Sequence, residues 1–324
     1  MQLTDLTVLQ QLNRWLQAGE DVWLCSVVST YGSAPRPVGS LFATNGSQRV
    51  GSISGGCLEQ AFFEKLIAGE FADSAQLFDY NSQLNRSGRP SELPCGGSIQ
   101  LLVERLQATS INRQHAMLWL QLAESFQPFE RSVGLGHGGA TLITLASAPV
   151  SEVVLTTAMV TLRYAQVWSI VILGISAVSE HVARLALMAG YRVRLCDNRE
   201  EMAESWNFNA SEGGIDVEWA DPAQFVERHT TARSAVLALA HDPRVDDVGL
   251  MAAFNCPNFY LGALGSQATT RNRRARLQRI CQLDDATLDT LHAPIGLDIG
   301  SKTPVEIAIS IMADLILAKS KVLV

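Results

Sequence analysis

The chain has 324 residues, 47% of them apolar, with 25 Lys and Arg against 32 Asp and Glu and a formal net charge of −7. That length predicts two domains of ordinary size, each with its own core, and the acidic balance excludes nucleic acid as the main partner, because phosphate binding draws on clustered Lys and Arg. Six cysteines without a CxxC pair indicate free thiols in a reducing compartment, and no run reaches the roughly 18 apolar residues of a membrane span.

Leu6, Leu9, Leu12 and Leu16 recur at helical spacing, and Gly19 closes this first helix. Asp5 near its start replaces the basic region of a signal peptide, so the predicted location is cytoplasmic. Asp21 to Thr30 reads as a buried strand, after which Pro35 and Pro37 force a loop that carries Arg36. Asn45-Gly46 predicts a hairpin between Ser40–Thr44 and Gln48–Ile53. Gly55 and Gly56 then turn the chain into a helix over Leu58 to Leu66. Cys57 thereby falls at a helix N-terminus, where the macrodipole favours thiolate. After a strand at Gln76 to Tyr80 and a polar loop, Pro94-Cys95-Gly96-Gly97 repeats the glycine-flanked cysteine in mirrored order and leads into a strand at Ser98 to Glu104. Two cysteines, each beside a glycine pair at an element boundary, point to one site; the plainer alternative is that small thiols fill tight turns. Cys25 and Cys196 lie inside apolar strands and are expected in the core.

A helical pattern runs from Leu106 to Gln127, and Arg131 to Val167 reads as connector and edge strands. From Val167 onward strand and helix patterns alternate, as a parallel sheet with crossover helices requires. The predicted class is therefore α/β: an N-terminal mixed α/β domain over 1–106, a connector over 107–166, and a Rossmann-like, doubly wound parallel-sheet domain over 167–324. The strand-turn-helix at Gly174 occupies the place of a dinucleotide fingerprint, and Asp197, 23 residues on, stands near the spacing of a ribose-binding acid. Yet Ser176 and Ser179 replace the second and third glycines, so either a nucleotide binds with altered geometry or the scaffold binds none. His241 follows a buried strand at its carboxyl end, as a base, a ligand-orienting donor or a cap of the next helix. Arg271, Arg273, Arg274, Arg276 and Arg279 read as a solvated basic helix face, with phosphate or an acidic partner as the rival. Thr303-Pro304-Val305-Glu306 is a capping box that opens the last helix. No HExxH, EF-hand loop, GxxxxGK[ST] or GxSxG occurs, so the commonest zinc, calcium, P-loop and serine-hydrolase chemistries have no local support.

Several runs together resemble the XdhC/CoxI family: YGSAPRPVG, GSISGGCLEQ and CGGSIQLLVE in the first domain, and HDPRVDD, YLGALGS and APIGLDIGSKTPVEIAISI in the second. The resemblance implies an accessory chaperone, not an enzyme with its own turnover. Such proteins bind the molybdenum cofactor, support its sulfuration by a cysteine desulfurase, and deliver it to the apo form of a xanthine dehydrogenase-like molybdenum hydroxylase; the family also implies a homodimer. Carried over by position, Gly55, Gly56, Cys57, Cys95, Gly96 and Gly97 become cofactor-binding residues, with Cys57 and Cys95 as thiols that contact or guard the metal. Arg36 is the expected phosphate partner, by charge and loop placement. Gly174, Ser176, Asp197 and His241 complete the expected cofactor set. Family members carry a Gly-Ala-Gly-His type turn where this chain has Gly174-Ile175-Ser176-Ala177, a departure that bears on any nucleotide role of the second domain. The cargo is expected as a molybdopterin, in its mononucleotide or cytidine dinucleotide form. The competing readings are an NAD(P)-dependent oxidoreductase using His241 and a structural adaptor that docks a partner enzyme.

Overall fold

The computed structural model describes residues 3–31, 36–54, 57–71, 73–80, 98–125, 127–136, 141–145 and 152–322. The chain forms two compact units, 1–167 and 168–324.

In the first unit, helix α1 (Leu3–Gln17) buries Val8, Leu9, Leu12 and Leu16 against strands β1 (Val22–Tyr31), β2 (Leu41–Thr44) and β3 (Arg49–Gly51). The β2–β3 hairpin turns at Asn45-Gly46 as expected: Asn45 Oδ1 accepts the Ser47 and Gln48 N–H groups, and Gly46 has a φ of 92°. Helix α2 (Cys57–Ile67) follows, then β4 (Ala75–Tyr80) and β5 (Ser98–Leu106). The strands form an antiparallel sheet in the order β3-β2-β1-β5-β4.

The stretch read from sequence as a connector is helix α3 (Ser110–Ser125) followed by β6 (Phe129–Gly134), β7 (Thr141–Leu145), β8 (Glu152–Leu155) and β9 (Met159–Tyr164). These strands make a second antiparallel sheet, in the order β7-β6-β9-β8, within the first unit. A buried ion pair ties the two sheets together. Arg131 on β6 donates to both oxygens of Glu104 on β5, at 2.7 and 2.8 Å, and both side chains are buried. The same guanidinium donates to His115 Nε2 on α3 at 3.0 Å and lies 4.2 Å from the centre of the Trp119 ring. Burial, and then the Arg131 charge, lowers the His115 imidazole to about 3, so the ring stays neutral and accepts.

The second unit runs β10 (Ser169–Leu173), α4 (Ala177–Met188), β11 (Arg192–Asp197), β12 (Val217–Trp219), α5 (Pro222–His229), β13 (Ser234–Ala238) and α6 (Pro243–Ala253). It continues with β14 (Tyr260–Ala263), α7 (Gln267–Cys281), α8 (Asp285–Leu288), β15 (Leu291–His292) and α9 (Pro304–Val322). Its six parallel strands lie in the order β12-β11-β10-β13-β14-β15. Counted from its own first strand this is 3-2-1-4-5-6, the doubly wound Rossmann order. Ile170 to Leu173 and Ala235 to Ala238 are fully buried, which is why these strands read as unbroken apolar strings.

The capping box of α9 forms as expected. The Lys302 and Thr303 N–H groups both donate to Glu306 Oε2 at 2.9 Å, and the Glu306 N–H reaches Thr303 Oγ1 at 3.3 Å. The arginine-rich helix, α7, is not the uniform solvated face that its composition indicated. Arg273 is 2% exposed and donates to Asp247 Oδ1 and Asp246 Oδ2 at 3.0 Å and to the Leu264 carbonyl at 2.7 Å. Arg276 shares Asp247 from the half-buried side. Opposite charge on α6 draws Arg273 inward, so one residue of the run is a core strut while Arg271 and Arg279 keep to the exposed face. Among the described residues no helix is long and apolar enough to cross a membrane.

Candidate functional site

Each unit holds one candidate region. In the first, the chain leaves β3, passes Ser52 to Ser54 and starts α2 with Cys57 as its first residue. Gly55, Gly56, Cys95, Gly96 and Gly97 lie outside the described residues, as does the Cys57 side chain. At the start of α2 the described residues form a clamp that sequence reasoning missed. Glu59, in the first turn of α2 and 4% exposed, accepts the Ser52 hydroxyl at 2.7 Å, the Ile53 N–H at 2.9 Å and the Ser54 N–H at 3.1 Å, and it also accepts the Ser54 hydroxyl. Ser54 Oγ in turn accepts the Leu58 N–H at 3.0 Å, satisfying one of the donors that a helix start leaves open. Burial alone would raise the Glu59 carboxyl, but the hydrogen bonds from Ser54, Ser52 and the backbone hold it down to about 2. An ionised carboxylate thus fastens the approach loop to the helix that bears the cysteine. The available signal was an acid two residues after Cys57 with serines at 52 and 54, a capping pattern read backwards from the helix.

Arg36 Nη2 lies 4.0 Å from Asp5 Oδ1. Asp5 itself is 2% exposed and accepts the Leu41 N–H at 3.1 Å, so α1, β2 and the loop after β1 meet at one carboxylate. Cys25 and Cys196 are buried core thiols, as expected, and burial raises both.

The second region is the crevice at the carboxyl ends of β10 and β13, where strand order reverses. Gly174 has a φ of 91°, and a Cβ there would stand 2.1 Å from the Ala240 Cβ. Only glycine lets the β10 turn pass the end of β13. Ser176 caps α4 reciprocally with Ser179: Ser176 Oγ accepts the Ser179 N–H at 3.1 Å, and Ser179 Oγ accepts the Ser176 N–H at 2.6 Å. Asp197, fully buried, accepts the Ile175 N–H at 2.7 Å and takes Arg199 on both oxygens, at 2.9 and 2.7 Å. Burial opposes its ionisation, and the Arg199 and Ile175 hydrogen bonds more than offset that, so the carboxyl sits below its ordinary value. Arg199 also reaches the Ile175 carbonyl at 3.3 Å and the Ala240 carbonyl at 3.5 Å, with Asp242 at 3.8 Å. The sequence reading passed over Arg199, which spans the crevice from β11 to β13.

His241 stands at the mouth with a left-handed φ of 57°, and the helix cap beside it is Asp242, whose side chain accepts the Arg244 N–H at 2.9 Å. Partial burial, and then the Arg273 charge, lowers the His241 imidazole from its ordinary value. The crevice therefore brings Gly174, Ser176, Asp197 and His241 to the ends of neighbouring strands, with the serine and the aspartate engaged by protein groups. Titration with NADH or NADPH is expected to give no saturable fluorescence change. A saturable signal abolished by Asp197→Ala would contradict that expectation.

Two family models match the chain: the XdhC and CoxI family over residues 15–81, and the XdhC Rossmann domain over residues 170–315. The chain is 27% identical over 314 residues to the molybdenum cofactor insertion chaperone PaoD of Escherichia coli strain K12, covering 95% of this chain and 86% of that protein. It is 25% identical over 337 aligned positions to a protein of Bacillus subtilis strain 168 named as a probable xanthine dehydrogenase subunit, covering 97% and 98% of the respective chains. A crystal structure described as a xanthine dehydrogenase from Bacillus halodurans superposes with a TM-score of 0.74 at 23% identity, over 98% of this chain and 96% of the other. That likeness shows a shared fold.

Proposed function

Because the chain belongs to the XdhC and CoxI family, whose models together match more than half of it, we propose that it is a molybdenum cofactor chaperone for a xanthine dehydrogenase-like hydroxylase. One relative is named for cofactor insertion, which fits an accessory role, and another as a probable part of a xanthine dehydrogenase, which fits association with that class of enzyme. The observation that carries the reading is Cys57 at the first position of an 11-residue helix, with its approach loop pinned by Glu59. A helix N-terminus favours the thiolate, and a soft thiolate suits a metal already held by sulfur. Gly55, Gly56, Gly96 and Gly97 leave room for backbone N–H groups to approach anionic oxygens, Cys95 is the second thiol, and Arg36 is the cation for the cofactor phosphate.

In the finer reading, the cofactor is held while a cysteine desulfurase supplies sulfur and is then passed to the apo-hydroxylase, in the cytoplasm and by a homodimer. The self-occupied crevice of the second unit supports a carrier over an NAD(P)-dependent oxidoreductase. Asp197 already serves Arg199 and Ile175, so a ribose would find no free carboxylate. Purified protein mixed with isolated cofactor is expected to retain about one molybdenum per chain after gel filtration and to activate an apo-hydroxylase. Cys57→Ala should lower retention at least tenfold, a loss of about 1.4 kcal/mol or more. Equal retention in Cys57→Ala and Cys95→Ala would remove the thiol assignment.

A further inference from the structure

We propose that the outward face of α9 is the surface through which two copies of this chain pair, with the two helices antiparallel about a two-fold axis at Ala313. The interface rests on the second unit alone and does not depend on the chaperone reading. α9 packs one side, Ala308, Ile311 and Leu315, into the core it shares with α4. Its other side is also apolar: Val305, Ile309, Ile316 and Leu317 are 45–48% exposed. A helix that is apolar all round belongs in a buried place, because each aliphatic side chain left in water forgoes its transfer free energy.

Charge is absent from this face along most of the helix. Between Glu306 and Lys319 the only ionisable residue is Asp314, and it turns inward, where it accepts the Tyr260 hydroxyl at 2.7 Å and pairs with His292 Nδ1 at 3.0 Å. The intervening residues 307–318 span about 18 Å of helix. Other helices of the unit differ: α4 shows Arg184 to solvent, and α7 shows Arg271 and Arg279. An uncharged apolar face of that length marks contact with another macromolecule.

The residue pattern favours a second copy as the occupant. A two-fold contact sets the same patch on both sides, so that residue i meets j and j meets i. Ile309 and Leu317 each stand four residues from Ala313. With the axis at Ala313, Ile309 of each copy lies opposite Leu317 of the other, and the two small alanine side chains meet where the helices come closest. The same register sets Glu306 opposite Ser320 of the second copy, between Lys319 and Lys321. Lys319 is held over the Tyr191 ring at 4.8 Å, and Lys321 is exposed. Each acidic first turn thus meets a basic last turn, and opposite ends of the two helix dipoles adjoin. Parallel pairing would bring like charges and like dipole ends together. A foreign surface of one charge sign would match one end of α9 and repel the other, whereas a second copy matches both.

The test is sedimentation equilibrium of the full chain across a dilution series. Wild type is expected to show twice the 35.2 kDa chain mass and to dissociate on dilution. Ile309→Glu would bury a carboxylate against Leu317 of the second copy, so its dissociation constant should rise by about tenfold or more. Ile309 is exposed within its own chain, so the circular dichroism of the variant should match wild type. Orientation is read from a charge exchange, which also decides the matter if Ile309→Glu misfolds. Glu306→Lys alone and Lys321→Glu alone should each self-associate roughly 3- to 10-fold more weakly than wild type, and the two variants mixed should pair with each other more tightly than either pairs with itself. A wild type that stays monomeric up to its solubility limit, a folded Ile309→Glu that dimerises like wild type, or a mixture no tighter than its components overturns the proposal. A monomeric Ile309→Glu that retains molybdenum like wild type leaves the chaperone reading standing. A dimer that never takes up cofactor removes that reading and leaves the interface in place.

Discussion

Replacing Arg131 by Met is expected to destabilise the first unit by about 3–5 kcal/mol, because it strands the Glu104 carboxylate without its counter-charge in a core that water does not reach. The pair itself is not the source of that stability. Its Coulomb attraction roughly balances the cost of removing two charges from water, so Arg131→Met combined with Glu104→Leu should recover most of the loss. Urea unfolding followed by tryptophan fluorescence can separate the two cases, since Trp119 lies directly under the guanidinium. A double variant as unstable as the single one would contradict the account. His115 adds a pH dependence of known sign. Its folded value of about 3 lies below the ordinary 6.5, so between those limits the unfolded chain binds a proton that the native fold refuses. Stability should therefore fall by about 1.4 kcal/mol per unit as pH drops from 6.5 toward 3.

That network also explains which parts of the fold were legible in the sequence. Elements announced by local chemistry were found where expected: the Asn45-Gly46 hairpin, the capped start of α9 at Thr303, and the glycine turn after β10. The four-stranded sheet of β6 to β9 was read only as loose edge strands. Its buried face includes Arg131, and Ser132 pairs with Thr161 across β6 and β9 at 2.9 Å. Polar residues satisfied by partners far along the chain blur the alternation from which a strand is read. Arg273 was misplaced for the same reason, since its partners Asp246 and Asp247 sit on another helix. The start of α2 at Cys57 was legible because glycines and a helix start are local signals. Arg199 was not, because its contacts with Ile175 and Ala240 depend on strand order. Asp5 was read only as an acid at a helix start, and its contacts with Leu41 and Arg36 arise from packing.

Glu59→Gln is expected to loosen the approach to Cys57 while leaving the cysteine in place, at a cost of about 1–3 kcal/mol, the penalty for leaving buried donors without their acceptor. A neutral amide keeps the size of the side chain but offers one acceptor oxygen where the carboxylate serves Ser52, Ile53 and Ser54 together. It also points an NH2 group at donors that need an acceptor. The sign with pH follows from the depressed value. The contribution of Glu59 is complete above pH 4.5 and is lost as pH falls toward 2, so this part of the acid sensitivity should vanish in the variant. Hydrogen exchange should show faster opening of the Ile53, Ser54 and Leu58 amides, whose partners are Glu59 and the Ser54 hydroxyl that Glu59 holds. If the thiol at the helix start holds the cargo, retention of molybdenum should drop in Glu59→Gln even though Cys57 is intact, because a loop free to open no longer presents the thiol in one position. Unchanged exchange at those amides would show that the loop is held by something other than Glu59. Faster exchange with unchanged retention would show instead that cofactor binding does not depend on the order of the Cys57 approach.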